Sequence, residues 1–294
     1  MSLTPLSGSN HPLKGIGLMV LATFLFASHD AMSKYLSGFY PIVVIVWARY
    51  LVHTLLMAGI FLPQSGLRVL RTKRPGLQVL RALCLLAVSL LFTSGLMFMP
   101  LAEATSVIFL APLLVTALSA PLLGERVNRG QWVAVIIGFI GVLVIVHPGG
   151  SLFTPAVLLP LAAALCFSLY QILTRRLSEI DSATTSNFCA GLVNTLVMSL
   201  MVPFFWQVPS LTHGLMMLAL GGCGMGAHLL LTHAFRHAAP ALLAPFGYVQ
   251  IIFAGLLGWL AFQHTPDSTA LIGIVIICLS GLTAAWQSRK GSQK

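Results

Sequence analysis

Ten stretches of this chain are apolar and close to the length that crosses a bilayer, and they leave little sequence over. They run Gly15–Leu36, Pro41–Leu62, Leu77–Met99, Ala102–Leu123, Gln131–Val146, Leu152–Thr174, Thr184–Trp206, Leu211–Phe235, Pro240–Phe262 and Ser268–Trp286. A spanning helix needs about 20 apolar residues. The fifth stretch is short and has to borrow flanking residues. Inside hydrocarbon every backbone N–H and C=O must be bonded within the protein, and a continuous apolar run achieves this as a helix. The connections are tight and rich in turn formers, such as Ser37-Gly38-Phe39-Tyr40-Pro41 and the run from Gln263 to Ser268. Only 7% of the 294 residues are charged, against about 25% in soluble chains. The expected fold class is an all-α integral membrane protein with ten transmembrane helices.

The charges that remain are unevenly placed. Fourteen of the 16 Lys and Arg residues fall on one side of the ten spans: Lys14; Arg68, Arg71, Lys73, Arg74 and Arg81; Arg126 and Arg129; Arg175 and Arg176; Arg236; Arg289, Lys290 and Lys294. Loops rich in Lys and Arg stay in the cytoplasm. Both termini are therefore expected there, in a bacterial-type inner membrane. The net charge of +10 orients helices and meets anionic lipid, which excludes nucleic acid as the implied partner. Residues 1–13 are polar and the first apolar stretch runs on into a full span, so no cleavable leader is expected. Walker A and Rossmann patterns are absent. No cofactor is implied, and ATP-driven transport by this chain alone is not expected. The five cysteines lie within spans without metal-site spacing, and read as small packing residues.

An internal repeat is visible. Phe26–Leu36 aligns with Phe167–Leu177, setting Asp30 against Gln171 and Lys34 against Arg175. Leu122-Leu123-Gly124-Glu125 aligns with Ala261-Phe262-Gln263-His264. Five spans per repeat is an odd number, so the second repeat must enter the membrane inverted. Inverted repeats with a site at their interface characterise secondary transporters. The expected organisation is a tail at 1–13, one repeat over 14–148, a second over 149–287, and a basic tail at 288–294.

These same stretches carry a resemblance. Pro100-Leu101-Ala102-Glu103-Ala104-Thr105, Leu110-Ala111-Pro112-Leu113, Leu122-Leu123-Gly124-Glu125-Arg126 and Gln131-Trp132 resemble the end of an EamA repeat. Ala234-Phe235-Arg236, Leu243-Ala244-Pro245-Phe246, Tyr248 and Leu257-Gly258-Trp259-Leu260 resemble a second one. The chain is thus similar to the drug/metabolite transporter superfamily, which implies ten spans in two repeats and transport of a small molecule. Its beginning, with Asp30, Lys34 and Trp47-Ala48-Arg49, resembles a branch that includes carriers of riboflavin and S-adenosylmethionine. One departure is that Gln263-His264 stands where such proteins commonly repeat a Gly-Glu pair.

Charges kept inside spans are costly and mark candidate sites. Asp30 and Lys34 share one face of the first span. Asp30 lies about 9 Å and Arg49 about 12 Å below the outer end of their spans, so an Asp30–Arg49 pair is expected, either pinning two helices or lining a substrate cavity. Lys34 is nearer the surface, where a long side chain can snorkel. Glu103 begins the fourth span, where an acid complements the helix dipole and can meet Lys34 at an outer gate. Tyr170 and Gln171 in the sixth span, with Tyr248 and Gln250 in the ninth, are candidates for substrate binding because they hydrogen-bond without a charge penalty; each also serves as interhelical glue. Asn187 and Asn194 read as helix-to-helix contacts.

Asp30, His29, His53 and His228 are candidates for proton coupling, since imidazole titrates near neutral pH; packing is the plainer role of each histidine. His233 and His237 have i,i+4 spacing but no third ligand, so no metal site is expected. Pro112 and Pro245 remove backbone bonds inside the fourth and ninth spans and mark helix kinks. The glycines from Gly221 to Gly226 permit close helix approach or a hinge. Neither a catalytic triad nor paired carboxylates occur, so an enzyme is not expected; nor does the chain show charge rings of a channel. The reading is a secondary transporter of a small polar metabolite (an amino acid, vitamin or nucleoside-like compound), working by alternating access between the repeats, as a monomer or homodimer. The alternative is an exporter of drugs or toxic metabolites on the same fold.

Overall fold

The computed structural model describes residues 12–124, 127–147, 152–178, 180–238 and 240–292. The ends of the expected tails and the Glu125–Arg126 pair lie outside them, as do the side chains of Arg236, Arg289 and Lys290. Among the described residues are twelve α-helices: α1 (Pro12–Leu36), α2 (Ile42–Ser65), α3 (Pro75–Phe98), α4 (Leu101–Ile108), α5 (Ala111–Leu123), α6 (Arg129–Val146), α7 (Leu158–Ser178), α8 (Ala183–Met201), α9 (Leu211–His237), α10 (Pro240–Gly247), α11 (Val249–Phe262) and α12 (Ser268–Ser292). They make ten units long and apolar enough to span a membrane. Two of the ten spans are each built from two helices, α4 with α5 and α10 with α11.

The helix ends follow from local sequence. Asn128 and Gln131 form a capping box at the start of α6, with Gln131 N donating to Asn128 Oδ1 at 2.9 Å and Asn128 N donating to Gln131 Oε1 at 2.8 Å. Ser182 and Ser210 cap α8 and α9 through their hydroxyls. Gly124 ends α5 at φ 69°, and Gln263 ends α11 at φ 55°. These two positions match in the internal repeat, and both adopt the left-handed turn that closes a helix. Glycine does so freely; glutamine does so against its Cβ.

Near Pro112 and Pro245, where bends were expected, the regular α-helical bonding is broken, although the residues at each break stay in the right-handed helical region. Phe109 and Leu110 interrupt the fourth span, and Pro112 follows as the second residue of α5, where a missing N–H costs no intrahelical bond. In the ninth span Pro245 lies inside α10, and the break falls three residues later at Tyr248. The rings of Phe109 and Tyr248 meet at 5.2 Å, so the two breaks touch.

Around them lies the main apolar core, with Leu96, Leu101, Val107, Leu110, Leu113, Ile145 and Ile277 all buried. Small residues bring helices close. A Cβ on Gly273 would stand 2.6 Å from Gly141 O, which sets the tight α6–α12 crossing. Gly221 lies so near α2 that a Cβ there would stand 2.5 Å from Val52 Cβ, a close approach of the kind this glycine run permits, whereas Gly222 has open space.

Candidate functional site

A cavity opens between α2, α3, α7, α8 and α9. Its wall is formed by Arg49, Tyr50, His53, Tyr170, Asn187 and His228, with Leu85, Ala190, Gly191, Gly221 and Gly224 completing it. The volume is about 20 Å³, room for about one water, so the walls are closed on each other. The glycines leave the space: a Cβ on Gly191 would press on Thr54 and His53, and one on Gly224 would reach His29 Cδ2 at 3.6 Å. His53 and His228 face each other with ring centroids 6.3 Å apart, and Phe26 meets His228 edge-on at 5.1 Å.

Arg81 corrects the charge census. It was counted with the cytoplasmic loop but lies six residues into α3, about 9 Å along the helix, and is 2% exposed. Its guanidinium donates to Thr174 Oγ1 at 2.6 Å, Ser186 O at 2.9 Å and Tyr170 OH at 2.7 Å, with Asn187 Oδ1 at 3.5 Å. It also sits 4.5 Å from the centre of the Tyr170 ring. Sequence reasoning missed this residue as a site, although its position inside the third apolar stretch was the available signal. Asn187, expected as helix glue, binds Arg81 and lines the cavity.

The expected Asp30–Arg49 pair is not formed among the described residues. Asp30 Oδ1 meets His29 Nδ1 at 3.0 Å, and its Oδ2 accepts from Gln250 Nε2 at 3.2 Å. Arg49 Nη1 donates to Ser89 Oγ at 3.2 Å and lies 5.2 Å from the Tyr50 ring centre. Similar depth on consecutive helices put the two residues near one level, but neutral partners on α3 and α11 took each charge. The geometry does bring Asp30, His29 and Gln250 together. Gln171 is half-buried outside the cavity wall, and Tyr248 lies against Phe109 and Gly281 rather than in the cavity.

At the opposite end of α3, Lys34 does not snorkel. It is half-buried, and its Nζ donates to Leu96 O and, at 2.7 Å, to Met99 O. It therefore neutralises carbonyls at the helix C-terminus, beneath the ring of Phe262 at 5.5 Å. Glu103 stands in the first turn of α4 as expected, but it is 2% exposed and its partner is His264 Nε2 at 3.0 Å. His264 is the residue that replaced the familiar acid in the second repeat.

Asp181, between α7 and α8, accepts from Thr72 Oγ1, Gln78 Nε2 at 2.9 Å and Lys73 N at 3.3 Å. Partial burial pushes its carboxyl up, but the bonds from Thr72, Gln78 and Lys73 N, with the Lys73 charge, outweigh this and hold it below the usual carboxylate range. Gln78 also donates to Ser186 Oγ at 3.0 Å. His237 Nδ1 meets its own helix at His233 O, at 2.9 Å. Among the described residues no cluster of three His, Cys, Asp or Glu is placed to hold a metal.

These bonds share a pattern. Asp30–Gln250, Arg81–Tyr170, Glu103–His264, Thr54–Thr195 and Asp181–Gln78 each join the half of the chain that holds the first five spans to the half that holds the last five, Asp181 and His264 from loops. These polar contacts form a seam between the two halves, beside the apolar α6–α12 crossing and main core that also join them.

Comparison with known proteins identifies the class. The model of the EamA-like transporter family matches residues 13–147 and again 154–284. The S-adenosylmethionine uptake transporter of Rickettsia bellii is 27% identical, covering 95% of this chain and 96% of that protein. The riboflavin transporter of Vibrio cholerae is 28% identical over 98% of this chain and 99% of its own length. A pseudopaline exporter of Pseudomonas aeruginosa is 29% identical, over 94% and 97%. A solved crystal structure shares the fold, with a TM-score of 0.65, 23% identity, and coverage of 96% of this chain and 100% of that one. The molecule is a multi-pass membrane transporter of small metabolites, not an enzyme. The chain belongs to the EamA-like transporter family.

Proposed function

We propose that this protein is a secondary transporter that carries a small polar metabolite by alternating access, through the cavity walled by Arg49, Tyr50, His53, Tyr170, Asn187 and His228. Its two moving bodies are the repeats at 14–148 and 149–287, with both termini in the cytoplasm. The observation that carries this reading is the seam. In a bilayer, apolar helix faces gain nothing by parting, but a polar interface can exchange its protein partners for substrate and water. The bonds of Asp181 and Arg81 close the seam on the side of the basic loops. That of Glu103 with His264 closes it on the other.

Alternating access breaks one set while the other holds. The touching breaks at Phe109 and Tyr248 give each half a joint at mid-depth, where freed backbone groups are tolerated beside a cavity. Asp30, with His29 on one oxygen and Gln250 on the other, is the group we assign to proton coupling.

The relatives named for S-adenosylmethionine and riboflavin uptake make these two compounds the first substrates to try. The pseudopaline exporter makes outward transport the second reading. Purified protein in liposomes, with a proton gradient of either sign, is expected to move one compound of a labelled metabolite pool. Cysteines placed at each end of the seam should label alternately from the two sides. No flux of any pool member, or simultaneous labelling from both sides, refutes the carrier.

A further inference from the structure

We infer that Arg49 and Arg81 form the anion-binding end of the cavity, and that the transported molecule carries a carboxylate; this rests on the reading of the cavity as the substrate path. Both guanidiniums are inside the spans, one in the cavity wall and one bonded to two wall residues, Tyr170 and Asn187. Among the described residues neither has a carboxylate partner. Arg81 donates to a hydroxyl, a backbone carbonyl, a phenol and an amide, all neutral. Arg49 donates to one serine hydroxyl, though a guanidinium offers five N–H donors.

Asp30, the acid at comparable depth, has one oxygen on His29 and the other on Gln250. Two uncompensated cations in one membrane protein interior are expensive. A substrate anion reaching them would be held by the planar fork that suits a carboxylate bidentately. Tyr50 and Tyr170 flank the arginines with ring faces, which suits an apolar or planar body behind the carboxylate. The remaining wall, with His53 and His228, supplies no acid that would repel it.

The test reads the potential of the cavity directly. Gly224 has space for a side chain, its nearest neighbour being His29 Cδ2 at 3.6 Å from the added Cβ. Gly224→Cys is made in a chain whose five native cysteines are replaced. It is labelled with a negatively charged methanethiosulfonate (the ethylsulfonate) and a positively charged one (the ethyltrimethylammonium). Relative to their rates on a free thiol, the anion should react faster by at least about tenfold. Arg49→Gln should remove most of that bias and Arg49→Lys should keep it. The bias of the parent decides the matter even if Arg49→Gln does not fold.

Free L-amino acids are then offered as a pool against their methyl esters and against inorganic phosphate. The free carboxylates should slow labelling at least about threefold, as expected when occupancy of the site exceeds two thirds, and the esters should not. An unreactive cysteine, an absent bias, protection by esters or by phosphate alone, or no protection at all overturns the inference. Flux of a neutral metabolite in liposomes would refute the carboxylate and leave the carrier standing. Bias and protection without flux would do the reverse.

Discussion

Tyr170→Phe is a sharp probe of the buried cation. The substitution removes the hydroxyl that accepts from Arg81 at 2.7 Å but keeps the ring 4.5 Å from the guanidinium, so the cation–π contact survives. The replacement acceptor, Asn187 Oδ1, is at 3.5 Å, too far to substitute fully. A hydrogen bond to a charged group is worth about 1.5–3 kcal/mol. Tyr50→Phe is the matched control. Its hydroxyl is bonded to Ser89 Oγ at 2.6 Å and Leu85 O at 3.2 Å, both neutral, and Ser89 keeps its own bond to Leu85 O at 3.0 Å. That loss should cost about 0.5–1.5 kcal/mol. The expected result is that Tyr170→Phe destabilises by about 1–2 kcal/mol more than Tyr50→Phe. Steric trapping in nanodiscs, or unfolding by SDS in mixed micelles, measures it. In an Arg81→Met background the two tyrosine changes should cost about the same, because the charge is gone. Equal costs in the parent chain would mean that Tyr170 does not satisfy Arg81, and that this cation is compensated elsewhere.

Gln263→Gly should raise stability by up to about 1 kcal/mol, since the left-handed cap strains glutamine by about 1–2 and the added backbone entropy returns part of it; a loss of stability in the same unfolding assay refutes the cap. Gly141→Ala brings a Cβ to 2.8 Å from Ile277 Cγ1 and 3.0 Å from Gly273 O, and should cost about 1–3 kcal/mol by overpacking α6 on α12, where a neutral result would show that the crossing is loose. His264→Ala leaves the buried Glu103 without the partner of Oε1, beside an Oε2 that has none among the described residues; a loss of about 1–3 kcal/mol is expected, with Glu103→Leu in the same background restoring part of it. Asp181 is held below the usual carboxylate range, so its contribution to stability is present above the unfolded carboxylate range and fades as pH falls through its folded value. Thermal melts in acid should therefore fall less steeply in Asp181→Asn than in the parent, and identical slopes would show that the loop carboxylate does not hold α7 and α8 to α3.

The spans were readable because hydrocarbon imposes one rule on every residue of a segment, and the sum over about 20 residues is large. The repeat was readable for a related reason. It predicted that Gly124 and Gln263 are equivalent, and the two share a left-handed cap although one is not glycine. What stayed hidden were partners, because a partner is a property of two helices at once. Asp30 and Arg49 stood at matching depth, but depth says nothing about which way each side chain turns around its axis. Gln250 stood out in sequence only as a candidate for substrate and Ser89 not at all, yet they captured the charges. Arg81 failed differently. A basic residue five positions from a cytoplasmic loop looks like an interfacial anchor, and what separates it from one is the row of acceptors on α7 and α8 that it meets.

The same contrast bears on how the halves differ. The two breaks lie on opposite sides of their prolines: Phe109-Leu110 precede Pro112, and Tyr248 follows Pro245. In the fourth span the proline begins a helix, which needs no donor from it; in the ninth it is followed by the end of one. A symmetric pair of prolines has thus produced joints displaced relative to the inverted repeat, with an aromatic ring from each filling the gap. Gly281, where a Cβ would collide with the Tyr248 hydroxyl, fixes the second joint against α12, while Phe109 is half-buried at the edge of the main core. If the joints flex in transport, the first half should bend more readily than the second. Gly281→Ala should therefore impair the motion by displacing Tyr248, while Phe109→Leu should leave the breaks intact and change the rate without changing the fold. Equal effects of both on alternate labelling of the two ends would show that the joints act as one rigid contact rather than as two.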